Sequence, residues 1–204
     1  MIRKNFVNRS DELNFLECRY KSRGFEFVII SGRRRTGKSR LMEEFVKNKE
    51  NITLLCENRK FAYNLDKFNS AISGYFNIPK TNFSSFRDCF EFIIKNYKKS
   101  EKLVVGIDEF SYLVKKSEII AEMQGVVDEI LKDKNVLLLL TGSAVSLMQK
   151  HLLSYTSPLY GRTTGSIYLQ PLHFKHLFKW FPDSGFEYLL KIYTCCDGIP
   201  KYLE

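Results

Sequence analysis

Residues 25–45 read FEFVIISGRRRTGKSRLMEEF. Phe27-Val28-Ile29-Ile30 is an apolar, β-branched run of the kind that forms a buried strand. Gly32 and Gly37 then frame G-x-x-x-x-G-K-S, closed by Lys38 and Ser39. Beyond it Leu41, Met42 and Phe45 recur at helical spacing beside Glu43 and Glu44. Strand, glycine loop and helix together are the context of a phosphate-binding loop. Glycines allow the backbone to curl until successive N–H groups face a β-phosphate, and the helix start adds a positive dipole end. Gly32 to Arg40 are therefore the candidate nucleotide contacts: Gly32, Arg33, Arg34, Arg35, Thr36, Gly37, Lys38, Ser39 and Arg40. Lys38 is placed to bridge β- and γ-phosphates, and the Ser39 hydroxyl to ligate Mg²⁺. The bland alternative is an ordinary βα turn with a chance G-K-S.

The second half of such a site is KLVVGIDEF, residues 102–110. A buried strand delivers Asp108 to its carboxyl end, the edge where open α/β sheets bind ligands. Asp108 can hold the water shell of the Mg²⁺ anchored by Ser39, and Glu109 can orient and deprotonate an attacking water. A third buried strand, Val136 to Leu140, ends at Thr141-Gly142-Ser143. Ser143 is the candidate sensor of a γ-phosphate, a role compatible with capping the next helix.

Around these motifs the strands alternate with amphipathic helices. Strands are expected at Phe27 to Ile30, Ile52 to Cys56, Lys102 to Ile107, Val136 to Leu140 and Ser166 to Leu169. Helices are expected after Ser10 and Ser117 as N-caps, over 59–76, after Ser84 and Ser85, and over 144–151. Solid apolar strands alternating with helices imply a parallel sheet covered on both faces. Residues 1–172 form the expected core, and 173–204 a helical segment broken at Asp197-Gly198-Ile199-Pro200, with further domains expected to follow.

The chain has 204 residues, 32 Lys plus Arg against 23 Asp plus Glu, and a net charge of +9. That balance favours an anionic partner: nucleotide, non-specific nucleic acid or a membrane surface. The apolar runs are too short to span a bilayer, and no signal-peptide core follows Met1-Ile2-Arg3-Lys4. The five cysteines show no framework spacing, which fits a reduced, cytoplasmic protein. His173 and His176 have helical spacing but no carboxylate or cysteine close by in sequence. They are expected as surface histidines and not as a metal pair.

The motifs FVNRSDEL, GRRRTGKSRLMEEF, GIDEFSYL, LLTGSAVSLM, SPLYGRTTGSIYLQPL and CDGIPKYLE resemble, in order, the archaeal-type ATPases, relatives of the STAND and AAA+ branches of P-loop NTPases. The resemblance spans nearly the whole chain. It implies an α/β P-loop fold with sheet order 5-1-4-3-2, ATP or ADP with Mg²⁺ as ligands, and an ATPase acting as a conformational or assembly switch. A nucleotide-gated scaffold or nucleic-acid adaptor with little turnover is the alternative, and a metabolite kinase would want a substrate pocket in place of Glu109. Phe6, Val7 and Arg9 match the box whose surroundings line the adenine pocket. Pro200, in a G-x-P element, matches the proline set against the nucleotide, with Asp197 standing where the family usually has a glycine. The family commonly carries arginines at positions 33–35. Arg162, between a helix and the final strand, matches an arginine finger acting on the nucleotide of its own or a neighbouring subunit. The alternative is a surface arginine in a glycine turn.

Overall fold

The computed structural model describes residues 6–204. Five strands form one parallel sheet: β1 (Glu26–Ser31), β2 (Asn51–Leu55), β3 (Leu103–Asp108), β4 (Val136–Gly142) and β5 (Gly165–Tyr168). Their spatial order is β2-β3-β4-β1-β5, the expected order read from the other end. The three central strands are buried along their full length, so both of their faces must be apolar. The expectation of solid apolar runs fails at the two edges. There β2 and β5 alternate between covered and exposed side chains, because an edge strand is covered on fewer sides.

Two apolar layers sandwich the sheet. On one face α1 (Ser10–Lys21) and α2 (Lys38–Val46) bury Leu16, Leu41, Met42 and Phe45 against Val28, Ile30, Leu137 and Leu139. On the other, α3 (Phe61–Phe76), α4 (Phe86–Asn96) and α5 (Ser117–Gly125) cover Phe27, Ile29, Val105 and Leu138. Phe86 and Phe68 meet edge to face at 5.7 Å between ring centroids, and each buried ring contributes roughly 1.5–3 kcal/mol by leaving water. After α5 the helix widens into a π-helical stretch, Val126–Leu131. A short α6 (Val145–Met148) follows β4.

Beyond β5 a third, separate cluster forms around Leu172, Leu177, Leu189 and Leu203. It is built from α7 (Leu177–Trp180), α8 (Phe186–Cys196) and α9 (Pro200–Leu203).

Ser85 caps α4 as expected, accepting from the Asp88 N–H. Ser10 and Ser117 do not act as caps. Each is the first residue of its helix, and the N-cap positions are Arg9 and Lys116. Arg9 takes an unusual φ of 123° there.

Candidate functional site

The glycine loop closes the carboxyl end of β1 and leads directly into α2. Gly37 stands at the N-cap with φ 96°, which an L side chain rarely adopts, and a Cβ there would meet nothing. Gly32 is required for space: its Cβ would lie 2.6 Å from the Leu169 carbonyl oxygen, at the end of the neighbouring β5. The loop is thus wedged between α2 and the sheet.

Inside it the Lys38 ammonium donates to the carbonyls of Gly32 and Arg33, both at 2.9 Å. Lys38 is 4% exposed. Burial pulls its pKa below the usual lysine value, the Glu109 and Asp108 carboxylates act the other way, and Arg34 adds to the depression. The ammonium is held by two neutral carbonyl oxygens, partners it can exchange for the oxygens of an anion. Thr36 is fully buried, its hydroxyl turned back to the Arg33 carbonyl at 2.8 Å. The half-buried Ser39 hydroxyl has no hydrogen-bond partner among the described residues.

Beside the loop, β3 and β4 end in a polar pair. Thr141, fully buried, donates to Asp108 Oδ1, and the Glu109 N–H donates to Asp108 Oδ1 at 3.0 Å and to Thr141 Oγ1 at 3.2 Å. Glu109 turns the chain with φ 52°, a left-handed conformation that costs a non-glycine residue roughly 1–2 kcal/mol. Its side chain is anchored through one oxygen. Glu109 Oε2 accepts from Ser143 Oγ at 2.8 Å, Ser111 Oγ at 3.2 Å and the Ser143 N–H at 3.3 Å. Oε1 has no donor among the described residues and is the oxygen available to a water. Ser143 therefore touches the expected base directly. Thr141 and Ser111 are functional neighbours that the motif reading passed over. A lone threonine ending a run of five leucine and valine residues was the available signal for the first.

The donors suit magnesium: a hydroxyl at Ser39 and a carboxylate at Asp108 are hard oxygen ligands of the kind that share Mg²⁺ with phosphates and water. No group of three or more His, Cys, Asp or Glu side chains is gathered among the described residues. His176 is nevertheless not a surface residue. It is buried, its Nδ1 lies 3.2 Å from the Asn8 amide, and burial with nearby cations lowers its pKa.

The side chains of the three loop arginines engage neighbouring segments. Arg33 pairs with Asp197 at 3.1 Å, Arg34 donates to the Tyr112 hydroxyl at 3.2 Å, and Arg35 lies over the Tyr202 ring at 5.2 Å. Two of the three thus grip the C-terminal helical segment. Arg40 is exposed and 3.5 Å from Glu43. Arg9 is buried and clamps the same junction, donating to the Thr36 carbonyl at 3.2 Å and the Gln170 carbonyl at 2.7 Å while paired with Glu12. Phe6 packs on the α1–α2 side of the sheet, and Val7 is half-buried. Pro200 opens α9, just after Gly198, whose carbonyl accepts from the Leu172 N–H at 2.8 Å.

Arg162 is the residue the fold relocates. The resemblance matches it to an arginine finger. Because β5 runs parallel to β1, with Gly165 opposite Val28, the residues just before β5 lie toward the opposite, amino edge. There Arg162 forms a bidentate pair with Asp128, at 2.6 and 2.7 Å, and donates to the Pro158 carbonyl. It lies on the edge opposite the glycine loop.

Comparison with known proteins agrees with this geometry. Residues 6–204 match a family described as an ATPase domain predominantly from Archaea. An uncharacterized protein of Methanocaldococcus jannaschii is 37% identical over 200 residues, covering 98% of this chain and 43% of the relative. The chain thus spans less than half of that relative's length. Among solved structures, a Walker-type ATPase of Pyrococcus abyssi superimposes with a TM-score of 0.69 at 24% identity, over 98% of this chain and 66% of that one. The ORC2 protein of Aeropyrum pernix, solved as ADPNP and ADP complexes, gives 0.64 at 18% identity, over 86% and 51%. At such identities these structures speak for the fold alone. With a phosphate loop, an aspartate–glutamate strand end and a parallel five-stranded sheet in place, and a family match over nearly its whole length, the chain belongs to the ATPase domains found predominantly in Archaea.

Proposed function

We propose that the protein binds Mg-ATP at the carboxyl edge of the sheet and hydrolyses it to ADP and phosphate, using the cycle to move its C-terminal helical segment. The observation that carries this reading is Glu109, fixed through Oε2 by Ser143 and Ser111 and open at Oε1, next to an aspartate on the same turn. The glycine-loop N–H groups and the start of α2 hold the β-phosphate, and the Lys38 ammonium leaves the Gly32 and Arg33 carbonyls for the β,γ oxygens. Ser39 and Asp108 would hold Mg²⁺, which neutralises charge on the phosphates. Glu109 Oε1 accepts a proton from the attacking water, while Ser143 exchanges its bond to Glu109 for one to the γ-phosphate. Phe6, Val7 and Pro200 are proposed to border the base of the nucleotide.

The switch follows from residue 33. Its carbonyl holds Lys38 and its side chain holds Asp197, so a phosphate that withdraws Lys38 loosens the same residue that grips the helical segment. On this reading residues 1–172 are the catalytic core and 173–204 the responding unit, in a protein of the cytoplasm. A scaffold with little turnover is the second reading, favoured by how fully Glu109 is tied to Ser143 and Ser111.

Steady-state phosphate release separates the two. Glu109→Gln retains shape but not basicity, and is expected to bind ATP as wild type does while turnover falls at least about a hundredfold. Equal phosphate release by wild type and variant would remove Glu109 from the base role and leave the scaffold.

A further inference from the structure

The helices packed on the sheet run against the strands, so four helix-to-strand connectors emerge together at the amino edge, opposite the phosphate loop. In spatial order from β2 to β1 they read KNKE (47–50), YKKSEK (97–102), KDKN (132–135) and, with the last residue of α1, KSRGF (21–25). They are laced into one surface: the Leu103 N–H donates to the Asn135 carbonyl, the Val104 N–H to the Glu50 carbonyl, and the Asn135 amide to the Ser100 carbonyl. Adjacent strands lie about 4.8 Å apart, so the row is roughly 15 Å long. These 19 residues hold nine lysines and arginines against three carboxylates, a net of six out of the chain's +9.

Helix dipoles explain only part of this. Basic residues in a last turn complement a helix C-terminus, yet α2 and the end of the α5 run have none there, and their lysines lie beyond the last turn. Internal pairing explains another part, since Lys47, Lys49 and Lys99 meet Glu44, Glu17 and Glu50. Lys21, Arg23, Lys98 and Lys134 remain exposed, with no carboxylate at ion-pair distance among the described residues. Between the second and last connectors lies a cavity of about 370 Å³ lined by Tyr20, Arg23, Lys102 and Asn135 among others. Lys102, 4% exposed, donates there to the Arg19 carbonyl and the Ser22 hydroxyl, both at 3.2 Å, which leaves one N–H of its ammonium without a protein partner.

We propose that this amino edge is a second anion-binding surface, one that takes the phosphate backbone of nucleic acid without sequence preference. The row of cations along a strand edge fits a linear polyanion. Polar side chains (Asn48, Ser100, Asn135) interleave the cations, and none of the exposed large apolar side chains belongs to these connectors. A bilayer surface would call for such apolar groups to insert. No element is presented for reading base edges, so the contacts are to phosphate alone. The surface is separate from the ATP site and stands whether or not ATP is hydrolysed.

The test is fluorescence anisotropy of a labelled, mixed-sequence DNA duplex of about 30 base pairs, titrated with the full chain between about 50 and 200 mM salt. Lys21→Glu, Arg23→Glu, Lys98→Glu and Lys134→Glu are combined in one variant. A control variant carries the same charge change elsewhere, through Lys60→Glu, Lys115→Glu, Lys175→Glu and Lys191→Glu. ATP affinity, measured in parallel, reports that each is folded. The amino-edge variant is expected to lose at least about tenfold in affinity at the low-salt end and to flatten the log–log salt slope by about 3 to 4, near 0.9 for each phosphate contact removed. The control is expected to keep most of both. Equal losses in the two variants would mean that net charge alone binds DNA and would overturn the assignment. So would a wild-type chain that fails to bind at low salt. Vesicles of phosphatidylcholine and phosphatidylserine that out-compete the duplex would overturn nucleic acid in favour of a lipid surface.

Discussion

At the scale of single residues, the site depends on pairs more than on motif letters. Asp108 is almost wholly buried and receives two donors, the Thr141 hydroxyl and the Glu109 N–H, so it reaches any metal already oriented. Thr141→Val keeps the shape of the side chain but withdraws one donor from a buried carboxylate. It is expected to lower stability by about 1–3 kcal/mol, read as a shifted urea midpoint with an unchanged slope. An unchanged midpoint would show that Thr141 does not support Asp108. The two glycines that frame the loop divide the work: Gly37 supplies a left-handed N-cap, and Gly32 makes room for the Leu169 carbonyl. The arginine triplet, whose side chains need not touch a phosphate that the loop binds through its backbone, is engaged with Asp197, Tyr112 and Tyr202.

At the scale of elements, the contact between the N-terminal strap and the C-terminal segment carries a pH dependence. His176 is buried against Asn8, and burial, Lys175, His173, Arg9 and Lys179 all depress its pKa in the folded state. A depressed folded pKa means that the unfolded chain takes the proton first. Stability is therefore full above the unfolded value, about 6.5, and is lost as pH falls through it toward the folded value. Thermal melts between about pH 7.5 and 5.5 are expected to show a steeper loss in wild type than in His176→Gln. Parallel curves would place the titrating group elsewhere. This burial was not legible in sequence, because it depends on a meeting between residues 168 positions apart. The five strands and the phosphate loop were legible, because an apolar run and a glycine spacing are local signals. The edge character of β2 and β5, the Thr141–Asp108 pair and the side of the sheet to which Arg162 belongs depend on register and strand order, which no local stretch encodes. Ser10 and Ser117 stand one residue inside α1 and α5, with Arg9 and Lys116 at the N-cap positions, a one-residue shift that the local pattern does not encode.

At the scale of the whole molecule, the sheet separates two charged edges, with the phosphate loop on one and the lysine connectors with Arg162 on the other. An arginine on the far edge can serve a nucleotide only in a neighbouring copy, and to do so it must leave Asp128. The proposed assembly is thus head to tail, with Arg162 acting in trans. Arg162→Ala is expected to retain ATP affinity and lose turnover by at least about a hundredfold. Mixing it with Glu109→Gln should restore part of the activity, because a mixed interface joins an intact base to an intact arginine. A mixture as inactive as its components would count against the assembly. The proposed function rests on one claim, that the loop from Gly32 to Ser39 holds the phosphates of a nucleotide. Calorimetric titration of Mg-ATP into wild type and into Lys38→Ala tests it most directly. The account predicts binding by wild type and a loss of about ten- to a hundredfold in the variant, the equivalent of roughly 1.5–3 kcal/mol for one charge-assisted partner. The same affinity in both proteins would contradict it.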